Sequence, residues 1–165
     1  MNARRSILIT SMLALAAGSG FAAEPATIAA PSALIPANRI VGLWHLTVSV
    51  GPCTGGPQFT FTSLHTYNLG GTLNGTSNNP IIAQGPAYGV WQYDGRGQYR
   101  THFQHFRYLP ATGAYDGLTD VRMTVQLDAA ATHFTTTVYG RALNPDGSLR
   151  GESCGTAIGD RVGLD

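Results

Sequence analysis

Apolar and polar residues alternate with a period of two along most of this chain. Phe59, Phe61, Tyr67 and Leu69 share one parity, with His65 among them, while polar side chains hold most of the other. Such alternation marks a strand with one buried face. Read with turn chemistry, the pattern divides residues 39–162 into about eight segments: 39–50, 59–69, 72–77, 87–94, 98–108, 118–127, 132–143 and 148–158. The breaks carry turn residues: Gly51-Pro52-Cys53-Thr54-Gly55-Gly56-Pro57, Gly70-Gly71, a loop over 78–86, Gly95-Arg96-Gly97, a short Asp-Ala connection at Asp128-Ala129, and Asn144-Pro145-Asp146-Gly147. The 72–77 segment is polar and contains glycine, so it reads as a short edge strand. No helical period intervenes, and the fold expected is all-β, an antiparallel up-and-down meander. Eight such strands can close into a barrel with room for one small ligand. A two-sheet β-sandwich is the alternative.

One hairpin fixes a face. A three-residue loop at Gly95-Arg96-Gly97, with Gly97 left-handed, puts Trp91, Tyr93, Tyr99, Thr101, Phe103 and His105 on one side. Val90, Gln92, Arg100, His102 and Gln104 take the other, with Tyr88, Phe106 and Tyr108 at its ends. The aromatic side buries more apolar area and is the expected interior. A two-residue loop would pair Trp91 with Arg100 instead.

The N-terminus has a different character. Arg4 and Arg5 precede an apolar run from Ile7 to Ala17 and then small residues, the arrangement of a secretory signal peptide over 1–22, cleaved after Ala22 or Ala23. The run is short of the roughly 20 residues a spanning helix needs. Residues 23–38, rich in Ala and Pro, read as a flexible leader, and 39–165 as one β-barrel domain. Export places the protein in the periplasm or outside the cell. There Cys53 and Cys154 are expected to form one structural disulfide.

Composition then excludes classes of function. All ten basic residues are arginine, and loss of Arg4 and Arg5 leaves eight against nine carboxylates, a charge of −1. A near-neutral chain without a basic cluster does not suit nucleic acid or an anionic membrane. Without lysine there is no Schiff-base chemistry and no lysine-dependent phosphate loop. No nucleotide or cofactor motif is present, so no cofactor is expected. Asn74-Gly75-Thr76 is a formal glycosylation sequon, discounted in a bacterial-type export context. No metal site is expected either. His102 and His105 are three apart and face opposite sides of a strand, while His45, His65 and His133 stand on separate segments as surface or hydrogen-bonded groups. No Gly-x-Ser-x-Gly elbow supports a serine triad.

Ile40-Val41-Gly42-Leu43-Trp44 resembles the Gly-x-Trp opening of the first strand in lipocalins and related calycins, and Gly89-Val90-Trp91 repeats it. Residues 39–162 are similar to compact calycin-type barrels among small secreted bacterial proteins. The resemblance implies that Trp44 plugs one end of the barrel and that a late arginine covers it, with Arg122 and Arg141 as candidates. It also implies a disulfide tying the C-terminal part to the barrel, a role Cys53 and Cys154 would fill. Thr119-Asp120-Val121 departs from the family's Thr-Asp-Tyr, and no helix follows the last strand.

Three functions fit this reading. The first is an exported carrier for a small apolar or aromatic ligand, walled by Trp44, Trp91, Tyr93, Tyr99 and Phe103, with Thr101 or His105 orienting a polar group. The second is a cofactor-independent cyclase or isomerase using His105 with Asp120 or Glu152. Asp120 and Arg122 point outward if Val121, Met123, Val125 and Leu127 are core, and inward if that strand is flipped. Glu152 shares parity with Cys154, which would put it inside if the bridge faces inward. The third is a surface-acting inhibitor or interaction protein with a filled interior.

Overall fold

The computed structural model describes residues 36–79 and 83–164. The segment expected to be a signal peptide, 1–22, and residues 23–35 of the expected leader lie outside them. The chain enters through a 3-10 turn, Pro36–Ile40. Among the described residues nine strands follow: β1 (Gly42–Pro52), β2 (Phe59–Tyr67), β3 (Thr72–Ser77), β4 (Ala83–Gln84), β5 (Ala87–Gly95), β6 (Gln98–Tyr108), β7 (Tyr115–Leu127), β8 (His133–Leu143) and β9 (Leu149–Arg161). All pairings are antiparallel. The sheet runs β6-β5-β3-β2-β1-β9-β8-β7 and closes through β6–β7, so eight strands form a barrel. The two-residue β4 stands outside that ring and pairs with β6 at Tyr108 and Arg107. Closure leaves none of the eight with an open edge, so 72–77 lies between β2 and β5 and is not an edge strand.

Alternation makes the interior. On β6, Tyr99, Thr101, Phe103, His105 and Arg107 are buried while the residues between them are exposed. Trp44, Leu46, Val48 and Val50 meet them from β1, and Val121, Met123, Val125 and Leu127 from β7. The β5–β6 hairpin has the expected face by a different route. Its turn is the two residues Arg96 and Gly97, both with positive φ, and Asp94 is bulged out of the pairing. The bulge supplies the residue the shorter turn lacks, so Trp91 lies opposite Thr101 and Tyr93 opposite Tyr99. Leu69, expected inside, is 63% exposed because the chain has already entered the Asn68–Gly71 turn.

One end of the barrel is plugged. Strand β1 begins later than the periodicity suggests because the 3-10 turn folds across this end, burying Ile40 completely. Trp44 Nε1 donates to Ile40 O at 2.8 Å, and Tyr99 Oη donates to Pro36 O at 3.0 Å. Phe134 packs on Trp44, and Trp91 and Tyr93 pack on Tyr99. The arginine over the Trp44 ring, 4.4 Å from its centroid, is Arg161, whereas Arg122 and Arg141 stand at outward positions on β7 and β8. Arg161 also donates to Val41 O and Ala131 O. Gly42 is needed here: its φ is +138°, and a Cβ would come within 2.6 Å of Arg161 Nη1.

Cys53 and Cys154 are bonded at the opposite end, joining the close of β1 to β9 across 101 residues. Cys154 pairs with Gly51, on the outward parity of β1, so the bridge lies on the outer wall. Glu152 shares that parity and is exposed, and its carboxylate accepts a hydrogen bond from Tyr139 Oη.

Candidate functional site

Beyond the aromatic plug the barrel is hollow. A cavity of about 380 Å³ opens at the disulfide end, walled by Val48, Phe59, Phe61, Phe103, Met123 and Val138 among others. Polar residues share the lining, among them His65 from β2, His105 and Arg107 from β6, and Ser63, whose Oγ donates to Thr76 O at 2.8 Å. Apolar walls with a few placed polar groups are the usual composition of a small-molecule site.

His65 is the most constrained of these groups. It is 4% exposed, and its ring meets Phe103 edge-on at 5.1 Å. Gly75 on β3 makes the space, since a Cβ there would lie 2.7 Å from His65 Cδ2. Burial, reinforced by repulsion from His105, lowers the His65 pKa from 6.5 to about 4. His105 is lowered too, by burial first; a bond to Phe106 O opposes this and the charge of Arg107 adds to it. Both imidazoles are therefore neutral at pH 7.

Several interior polar atoms have no hydrogen-bond partner among the described residues: His65 Nδ1, Thr101 Oγ1, Tyr67 Oη and Arg107 Nε. A buried polar atom left unpaired costs about 1–3 kcal/mol. Four of them around one barrel interior are expensive unless something else satisfies them.

At the mouth, Arg107 Nη2 donates to Asp116 Oδ2 at 2.6 Å. Arg150 donates to the same carboxylate, Nη1 at 2.7 Å and Nη2 at 2.9 Å. The bonds from Arg150 hold the Asp116 pKa down at about 2; desolvation opposes this, and Arg107 adds to it.

The residues proposed from sequence separate into three groups. Phe103 and His105 line the cavity. Trp44, Trp91, Tyr93 and Tyr99 belong to the plug, and Thr101 is buried on the inner face of β6 between plug and cavity. Asp120 faces outward, yet it is only 7% exposed, because His102 Nε2 at 2.6 Å, Gln104 Nε2 at 2.8 Å and Arg122 at 3.8 Å surround it. Burial raises its pKa, but the bonds from Gln104 and His102 outweigh that and hold it low. Neither Asp120 nor the Glu152 carboxylate is brought to His105.

Arg107 is not among the site residues expected from sequence, and His65, though placed with Phe59 and Phe61, is expected there only as a surface or hydrogen-bonded group; a signal exists for both. The parity that runs from Tyr99 to His105 continues to Arg107, and the parity of Phe59 and Phe61 runs through His65. Asp116 and Arg150 carry no such signal, because both sit at irregularities in the strands. Among the described residues, no group of three or more His, Cys, Asp or Glu side chains could hold a metal ion. The chain matches no protein-family model, no curated protein and no solved structure. The chemistry of the cavity is thus legible only from its own residues.

Proposed function

We propose that this protein is an exported carrier that holds one small, largely apolar or aromatic molecule inside its barrel. The observation that carries the reading is the hollow, apolar-walled chamber above an aromatic plug. At protein-like packing its volume suits a ligand of roughly 15 non-hydrogen atoms. The unpaired His65 Nδ1, on a side chain that lines the cavity, supports a bound molecule with at least one polar group. Export draws support from the signal-type N-terminus and from the Cys53–Cys154 bridge, since such bonds persist in oxidising compartments. No helix among the described residues is long and apolar enough to cross a membrane. A surface-acting protein with a filled interior fits the chamber less well.

Titration with the neutral fluorophore N-phenyl-1-naphthylamine tests the reading. One saturable site is expected in the wild type, weakened about tenfold or more by Val121→Phe, which pushes a ring into the chamber. Absence of saturable binding, or binding indifferent to Val121→Phe, overturns it.

One observation favours an enzyme as a second reading. His65 and His105 face one enclosed space and are both held neutral, as a proton-transferring isomerase or cyclase would need. His105→Gln would then abolish turnover of a bound molecule without loss of binding, whereas in a carrier no turnover exists to lose.

A further inference from the structure

Barrel interiors are apolar where they can be, so a guanidinium on an inner strand position needs a reason. The Arg107 side chain is 7% exposed and lies two residues beyond His105 on the inward face of β6. Its one carboxylate partner, Asp116, is shared with Arg150, which binds both oxygens. Two cations thus meet one anion, so the Arg107–Asp116–Arg150 cluster carries one positive charge in excess. His105 beside it is neutral. Glu152 also borders this opening, but it stands at an exposed, outward position of β9, where its carboxylate accepts from Tyr139 Oη and lies cross-strand from Arg141. Arg107 Nε remains buried without a partner.

The placement of this cluster is built. In the β6–β7 pairing Arg107 faces Gly117 and Tyr108 faces Tyr115, so Asp116 is bulged out. In the β8–β9 pairing Ala142 faces Gly151 and Leu143 faces Leu149, so Arg150 is bulged out. A bulge re-aims a side chain that regular alternation would send elsewhere. Two bulges on strands separated by β8 bring Asp116 onto the interior Arg107 and Arg150 onto Asp116.

From this geometry we propose that the mouth is an anion subsite and that the carried molecule is a small monocarboxylic acid. Its carboxylate binds the surplus charge at Arg107, and its apolar body occupies the chamber. The inference rests on the carrier reading and names the ligand's chemical class. A carboxylate suits the arrangement because a guanidinium with spare donors can bind it through charge-assisted hydrogen bonds. Asp116 keeps Arg107 in place when the site is empty, and Arg150 offsets the charge of Asp116 so that it does not repel the incoming acid.

The test compares 1-naphthaleneacetic acid with its methyl ester at pH 7, as competitors for N-phenyl-1-naphthylamine bound to the mature, disulfide-bonded protein. The wild type is expected to prefer the acid by about tenfold or more. Arg107→Gln should abolish that preference while leaving ester binding intact, which also shows that the variant is folded. Arg150→Gln leaves Arg107 and Asp116 as a neutral pair and should narrow the preference several-fold. Equal affinity for acid and ester in the wild type, or an acid preference that survives Arg107→Gln, overturns the inference and leaves the carrier reading standing. An acid that fails to compete where the fluorophore binds overturns it as well. If the fluorophore itself does not bind, both readings fall.

Discussion

His65 offers a quantitative test of how dry the chamber floor is. The unfolded chain takes up a proton on this residue as pH falls through 6.5, whereas the folded protein resists until about pH 4. In that interval the unfolded state binds more protons, so acidification favours unfolding. Stability tied to His65 is fully present above pH 6.5, declines as pH falls towards 4 and changes no further below it. The gap between 6.5 and about 4 corresponds to about 3 kcal/mol. That is a sizeable fraction of the roughly 5–15 kcal/mol by which a domain is stable. The assay is urea unfolding between pH 8 and pH 4 for the wild type and His65→Gln, which removes the proton site but keeps a polar side chain. Other titrating groups are common to both proteins and largely cancel in the difference. The wild type should lose about 3 kcal/mol relative to the variant over this range. A difference that stays flat, or a His65 imidazole resonance that titrates near 6.5 by NMR, refutes the claim that the floor excludes water.

Other consequences follow from the same geometry. Replacing Cys53 and Cys154 together by alanine should lower stability by about 2–4 kcal/mol in urea unfolding, since the bridge closes a loop of 101 residues; no loss would mean that β1–β9 pairing alone holds that end. Gly75→Ala should destabilise by about 1–3 kcal/mol and displace the His65 ring, visible as a changed imidazole shift. Thr101→Val removes a buried hydroxyl without a partner, so the empty protein should be unchanged or stabilised by up to about 1 kcal/mol in thermal unfolding; a large loss would reveal a hydrogen bond that the hydroxyl makes. Asp120→Asn should leave binding of the neutral fluorophore within about twofold, because its carboxylate lies on the outer wall.

The barrel was legible because its strands are half-buried and alternate with turn residues at regular intervals. On β6 the inner set from Tyr99 to His105 can be read directly from the sequence, and the register survives a turn of unexpected length because the Asp94 bulge restores parity. The division of that inner face was less visible. Trp44, Trp91, Tyr93 and Tyr99 belong to the inward face, as Phe103 and His105 do, and only the depth of each residue along the barrel decides whether it fills the plug or walls the chamber. Alternation carries no information about depth. The mouth was harder still. Asp116 reaches Arg107, and Arg150 reaches Asp116, through bulges where parity fails, and the 34-residue separation of Asp116 and Arg150 gives no local sign of contact. Arg161 covers Trp44 because β9 runs three residues further than the hydrophobic pattern, past Ile158 to the closed end.

The most direct test of the central claim is native mass spectrometry of the full chain, expressed with its own N-terminal segment and recovered folded, with the mass measured again after denaturation. A hollow carrier predicts an additional small mass in the native spectrum that disappears on denaturation and is absent from a Val121→Phe variant. A bare mass in both states, together with no uptake of the neutral fluorophore, would contradict the account and leave the chamber without a ligand.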